Sequence, residues 1–280
     1  MKTIAGIKSI VCIAMFSGPA FAQIPIQINA AVPASLDNST APWFPPVVDQ
    51  GARESCGNAT GIGYGFSYEI NASRSVSGKD SSNQYPFFAT YDFLNEGCES
   101  CDPDKTYYRH FLPAWKIARE NGIPAVRDFG SPDLNSTRWM TGYDNYYRAM
   151  RNRVDKIDSF EVSDTASLRK MKQWLFDRGS GSPSGGIFIF TANIYGTQED
   201  TVHSGPESGK TFIKFWGNDQ TSGHCMAMVG YNDSVRYDFN GDGKYTTTLD
   251  IGNDAGAIGT KDGTVDMADW EIGAFKAANS

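Results

Sequence analysis

The sequence is poor in histidine, with three in 280 residues, and poor in cysteine, with five. Imidazole chemistry can therefore come only from His110, His203 or His224. No apolar run reaches the roughly 20 residues a bilayer-spanning helix needs, which excludes a helical membrane span. Basic charge is also scarce: 25 Lys and Arg stand against 32 Asp and Glu, for a formal net charge of −7. The basic residues cluster only mildly, so nucleic acid is not an expected partner. Internal repeats, heptads and long low-complexity runs are missing too. What is left is a globular chain, long enough for one large domain or two lobes with a good core.

What is present begins with a targeting pattern. Lys2 and Lys8 precede the short apolar run SIVCIAMF, and GPAFA supplies a small-residue site ending at Ala22. Residues 1–22 thus read as a signal peptide, and the mature protein as exported, periplasmic or extracellular, with no membrane partner after cleavage. Removal of Cys12 leaves Cys56, Cys98, Cys101 and Cys225. In an oxidising compartment the C-x-x-C at Cys98 and Cys101 is expected to close a local disulfide. No second C-x-x-C or H-x-H completes a structural metal site. Cys56 and Cys225 have no obvious structural partner.

Residues 23–184 read as a Pro/Ala/Asn-rich lead-in followed by a mainly helical lobe. Helices are expected around His110–Gly122, Tyr143–Val154 and Asp164–Gly179, the last capped by Asp164 and stopped by Gly179. From Gly185 the pattern changes to β-branched and aromatic runs: GGIFIFTANIYG, TFIKFW, HCMAMVGYN and WEIGAFKAANS. Helices first and strands later argue for an α+β fold in two parts, with residues 185–280 as the β-rich one.

One stretch carries chemistry. In DQGARESCGNATGIGYGF, residues 49–66, a helix opens at Cys56 although Gly57, Gly61 and Gly65 recur along it. Each helix-interior glycine costs roughly 1 kcal/mol relative to alanine, so the stripe implies close packing against a neighbour. A cysteine in the first turn sits at the positive helix end, which favours the nucleophilic thiolate. Such a nucleophile needs a base. His110 lies in an aromatic-rich helical stretch and reads as structural, and His203 lies in a polar loop and reads as solvated. His224 opens an apolar strand, which sets its ring at a sheet rim, and is the best base.

The segments PPVVDQG…SC, GHCMAMVGYND and IGAFKAANS occur in that order and together resemble the papain-like cysteine peptidases, in particular their bacterial exported members. The resemblance runs from Pro33 to Ser280. It implies a two-lobed α+β papain-like fold and hydrolysis of peptide or protein substrates. It implies Gln50 as the oxyanion-stabilising side chain, Cys56 as nucleophile, His224 as general base and acid, and Asn279 as the residue that orients the imidazole. Three departures stand out: Gly57-Asn58 where the family carries other packing residues, no visible inhibitory pro-region, and an end at Ser280 where the family continues with Trp-Gly. The last leads us to expect a longer natural chain, with weak activity from one ending here. The alternative is a non-catalytic, calcium-stabilised binding or adhesion module on the same fold. A different Cys/His amidase is the third reading, and the Gln50 spacing argues against it.

His224 and Asn279 lie 55 residues apart, which implies an insertion, placed at residues 236–269. Within it Asp238, Asn240 and Asp242 take positions 1, 3 and 5 of a calcium-loop pattern with Gly243 at position 6. Lys244 and Asp250 are the further ligand positions, with Asp250 one place beyond the usual twelfth-position carboxylate. Asp262, Asp266 and Asp269 form a possible degenerate second half. The plainer reading is hairpin turns. Asn253 competes with Asn279 for the third catalytic place, but its neighbours Gly252, Asp254 and Gly256 look like turn chemistry, so Asn279 is preferred.

Overall fold

The structure is a computed structural model describing residues 10–13, 31–95, 111–130, 140–160, 162, 164–179, 181–193, 196–215, 223–252 and 259–280. Cys98, Cys101, His110, Asn253 and the expected cleavage site at Ala22 lie outside the described residues. The strands are β1 (Ile10–Ile13), β2 (Ser35–Asp37), β3 (Ile157–Phe160), β4 (Phe188–Asn193), β5 (Gln198–Thr201), β6 (Thr211–Phe215), β7 (Gly223–Arg236) and β8 (Ile272–Ala278). The helices are α1 (Cys56–Asn58), which runs through a wider segment (Ala59–Phe66) into α2 (Ser67–Arg74), then α3 (Phe88–Asn95), α4 (Phe111–Glu120), α5 (Val126–Phe129), α6 (Tyr143–Ala149) and α7 (Thr165–Asp177). The chain is thus α+β.

Asp164 caps α7 by accepting the Ser167 N–H at 2.7 Å, and the helix ends in left-handed Arg178 and Gly179. The main sheet runs β2-β7-β4-β1-β3, with β8 on β7. Three of its strands, β1, β2 and β3, come from before Gly185, as does α7, so the sheet draws on both parts of the sequence. β1 lies within the segment read as a signal peptide and pairs in parallel with β3 and β4.

The long strand β7 organises both cores, because its side chains alternate between the two faces. Cys225, Ala227 and Val229 join a cluster with Cys56, Ala59, Ile62, Phe66 and Trp115 of the helical part. Met226 and Met228 join Met171, Trp174 and Leu175 of α7 on the other face. Each fully buried large side chain here contributes roughly 1.5–3 kcal/mol relative to exposure. A buried ion pair also crosses the molecule: Arg178 Nη2 lies 2.8 Å from Glu69 Oε2.

The glycine stripe packs closely, against different elements along its length. A Cβ on Gly61 would meet Phe111 Cβ at 2.6 Å, whereas on Gly65 it would meet Ile189 Cγ1 of β4 at 3.0 Å. Only the second contact is with the sheet. Gly63, absent from the expected stripe, packs on Val48 in the same way, at 2.7 Å. Across Ala59–Phe66 the helix widens, and the Ser67 N–H reaches the carbonyl of Ile62, five residues back. Such π-type turns are uncommon and occur frequently at functional sites.

Candidate active site

The central helix starts at Cys56, and its first turn is pressed into the protein, leaving the residue 5% exposed. β7 approaches this turn with His224 near its first residue. In the ladder His224 lies opposite Ala192 of β4, and Ala227 lies opposite Ala278 of β8. Antiparallel register therefore brings Asn279, the next residue after β8, alongside the start of β7. The His224 Nε2 is 2.6 Å from Asn279 Oδ1, and the ring also hydrogen-bonds the Cys56 thiol. With Nε2 engaged by Asn279, Nδ1 is the nitrogen left for Cys56.

The electrostatics follow from these contacts. A hydrogen bond from the Cys225 thiol, and then the His224 ring, hold the Cys56 thiol far below its ordinary range, to about 4, against the opposing effect of burial. The Cys56 contact, and then Asn279, raise the His224 imidazole above its ordinary value despite burial. The two shifts have opposite sign, and between them the pair is thiolate and imidazolium.

Gln50 lies at the same place. Its Nε2 donates to the Arg53 carbonyl at 2.9 Å, which uses one of two amide hydrogens. Its Oε1 accepts from Ser280 Oγ at 2.6 Å, next to Asn279. The structure therefore brings together Gln50, Cys56, His224 and Asn279. His203, by contrast, is exposed and sits 3.8 Å from Asp200.

Two residues of this neighbourhood escape a sequence reading. The hydroxyl of Tyr64 donates to the Asn279 carbonyl at 2.6 Å and accepts the Val48 N–H at 3.0 Å. It ties the helix, the segment before Gln50 and the end of β8 into one frame. In sequence Tyr64 is one more apolar-looking residue on a buried helix. Cys225 is the second, and only its place beside His224 hints at a role.

The unusual Gly57-Asn58 pair is accommodated. Asn58 is fully buried, and the Thr90 hydroxyl lies 2.7 Å from its Oδ1. Cavities of about 560 and 660 Å³ lie beside α7, β7 and β8 and beside β2, β6 and β8, and neither includes Cys56. The thiol and imidazole thus do not sit in either of these cavities.

The Asp-rich loop is closed by its own backbone. Asp238 accepts the N–H groups of Gly241 at 2.7 Å and Gly243 at 2.8 Å. Asn240 Oδ1 accepts from Asp242 at 3.0 Å, and Asp242 Oδ1 accepts from Lys244 at 2.8 Å. Asp250 is bonded instead to the Gly263 N–H at 2.8 Å. Among the described residues no three His, Cys, Asp or Glu side chains gather around one point, so a cation here would lean on Asn240 and main-chain carbonyls besides the carboxylates. Asp269 departs from the ligand pattern: it is buried and accepts the N–H groups of Ile251 at 3.0 Å and Gly252 at 3.2 Å, pinning the insertion.

No protein-family model and no curated protein matches the sequence. Among solved structures the chain is similar to xylellain, a cysteine protease from Xylella fastidiosa, at 15% identity over 77% of this chain and 78% of that one, with a TM-score of 0.44. It is similar to procathepsin B of Trypanosoma congolense at 13% identity over 94% and 82%, with a TM-score of 0.45. A structure from work on the mite allergens Blo t 1 and Der p 1 matches at 14% identity and a TM-score of 0.45; 75% of this chain is covered and it spans 61% of that one. At such identity and superposition these likenesses assign no residue a role. Among the described residues no helix is long and apolar enough to cross a membrane.

Proposed function

We propose that the protein is an exported papain-like cysteine peptidase in which Cys56 attacks a peptide carbonyl and His224 manages the protons. The observation supporting this most strongly is the Cys56–His224–Asn279 chain of hydrogen bonds, reached from three distant parts of the sequence. The Cys56 thiolate adds to the carbonyl carbon. The developing oxyanion faces the remaining N–H of Gln50 Nε2 and the backbone N–H of Cys56. His224, as imidazolium, gives its Nδ1 proton to the leaving amine, which departs and leaves a thioester. The neutral imidazole then takes a proton from water, which attacks the thioester and releases the acid. Asn279 fixes the ring throughout, so that Nδ1 stays on Cys56.

Gln50→Ala is expected to lower kcat by about 10²–10³-fold, the usual loss for one oxyanion donor. Alkylation of Cys56 in that variant is expected to stay near the native rate, because no oxyanion forms in that reaction. A parallel loss of both would instead mean that Gln50 holds the nucleophile in place.

For the Asp238–Asp250 loop we propose calcium as a structural ligand, supported by the spacing of Asp238, Asn240 and Asp242 and by the positive φ of Gly241 and Gly243, 73° and 75°. Binding at a hundredfold excess over Kd adds about 2.7 kcal/mol, so Tm is expected to rise by roughly 5–10 °C between EDTA and millimolar calcium. Equal Tm values would leave the turns as turns.

A further inference from the structure

A second thiol lies against the proposed nucleophile. Cys225 follows His224 on β7 and is fully buried, and both it and Cys56 are thiols. Strand alternation turns Cys225 toward the central helix with Ala227 and Val229, into the cluster that contains Cys56. Thr60, one turn on from Cys56, anchors the strand there by donating its hydroxyl to the Cys225 carbonyl at 2.9 Å. The Cys225 Sγ is 3.4 Å from Thr191 Oγ1 and in hydrogen-bond contact with Cys56. Packing alone does not call for sulfur here, since the next two residues on this face are Ala and Val.

We propose that Cys225 is a resolving cysteine: when a hydroperoxide oxidises Cys56, Cys225 captures it as a Cys56–Cys225 disulfide, which switches the site off reversibly and prevents over-oxidation. The proposal rests on the reading of Cys56 as the reactive thiolate. In the first step the thiolate attacks one oxygen of hydrogen peroxide; the O–O bond breaks, a sulfenic acid forms on Cys56 and hydroxide leaves. In the second, the Cys225 sulfur attacks the sulfenic sulfur; the S–O bond breaks, the disulfide forms, and the departing hydroxyl takes the thiol proton as water. Two thiols lose two electrons in all, and the peroxide is reduced. Hydrogen peroxide is small enough to reach a residue 5% exposed. A sulfenic acid with no thiol beside it proceeds to sulfinic and sulfonic acids, which thiol reductants do not reverse. A dithiol reductant opens the disulfide and restores both thiols.

The test treats the protein with hydrogen peroxide, maps non-reduced peptides by mass spectrometry and counts alkylatable Cys56 after dithiothreitol, for the native chain, Cys225→Ala and Cys225→Ser. The native chain is expected to yield a Cys56–Cys225 linked peptide and to recover Cys56. Both variants are expected to accumulate sulfinic and sulfonic Cys56 and to recover roughly tenfold less of it. Absence of the linked peptide, or equal over-oxidation in all three, overturns the proposal. Neither readout requires turnover: linkage without hydrolysis would count against the peptidase reading alone, and hydrolysis without linkage against this proposal alone.

Discussion

Cys56→Ala removes peptide hydrolysis, with kcat expected to fall on the order of 10⁶-fold, the loss seen when a covalent nucleophile is deleted from a site whose members act together. The fold should barely notice. The exchange removes one sulfur from a cluster held by Trp115, Ile62 and Phe66, and Tm should drop by no more than a few degrees, as befits about 1 kcal/mol in a chain of this size. Circular dichroism beside a peptide-hydrolysis assay separates the two effects. Substantial activity in Cys56→Ala would move the chemistry elsewhere.

His224→Ala should cost a comparable factor and should also change how rate depends on pH. In the native protein Cys56 is held low, so its thiolate is present above about pH 4. His224 is held high, so the imidazolium persists to a pH above the ordinary histidine range. Activity is expected to rise through the first ionisation and fall through the second, a bell whose limbs belong to the pair. Removing His224 deletes the alkaline limb and takes away one of the contacts that favour the thiolate. The thiol ionisation should then move upward, though only part of the way, since Cys225 still donates to it. An unchanged acid limb in His224→Ala would mean that the imidazole does not face the thiol.

The places of the candidate residues in the fold were legible in sequence because they sit at element ends with recognisable punctuation. Cys56 follows a turn and opens a helix, His224 follows Thr-Ser-Gly and opens a strand, and Asn279 closes an alternating strand; antiparallel register then carries the last two together. The glycine stripe was legible as close packing, but not its partners, because periodicity reports a face and not what covers it. The widened helix was not legible, since π and α windings bury nearly the same apolar residues. β2 escaped because Ser35–Asp37 is too short for an alternating pattern, and its reason for being a strand lies in β7, nearly 200 residues away. Tyr64 escaped for the same reason: its hydroxyl matters only through Asn279, 215 residues on. Cys225 showed itself only as a cysteine without a partner, until the fold set it beside Cys56.

The proposed chemistry depends on the thiolate–imidazolium pair, and the rate of Cys56 alkylation by iodoacetamide as a function of pH probes that pair without requiring turnover. Fast labelling is expected at pH 5 to 6, confined to Cys56 in peptide maps, with an inflection near pH 4 and markedly slower labelling in His224→Ala at the same pH. An inflection at pH 8 to 9, the range of an ordinary thiol, with no difference between the native protein and His224→Ala, would contradict it.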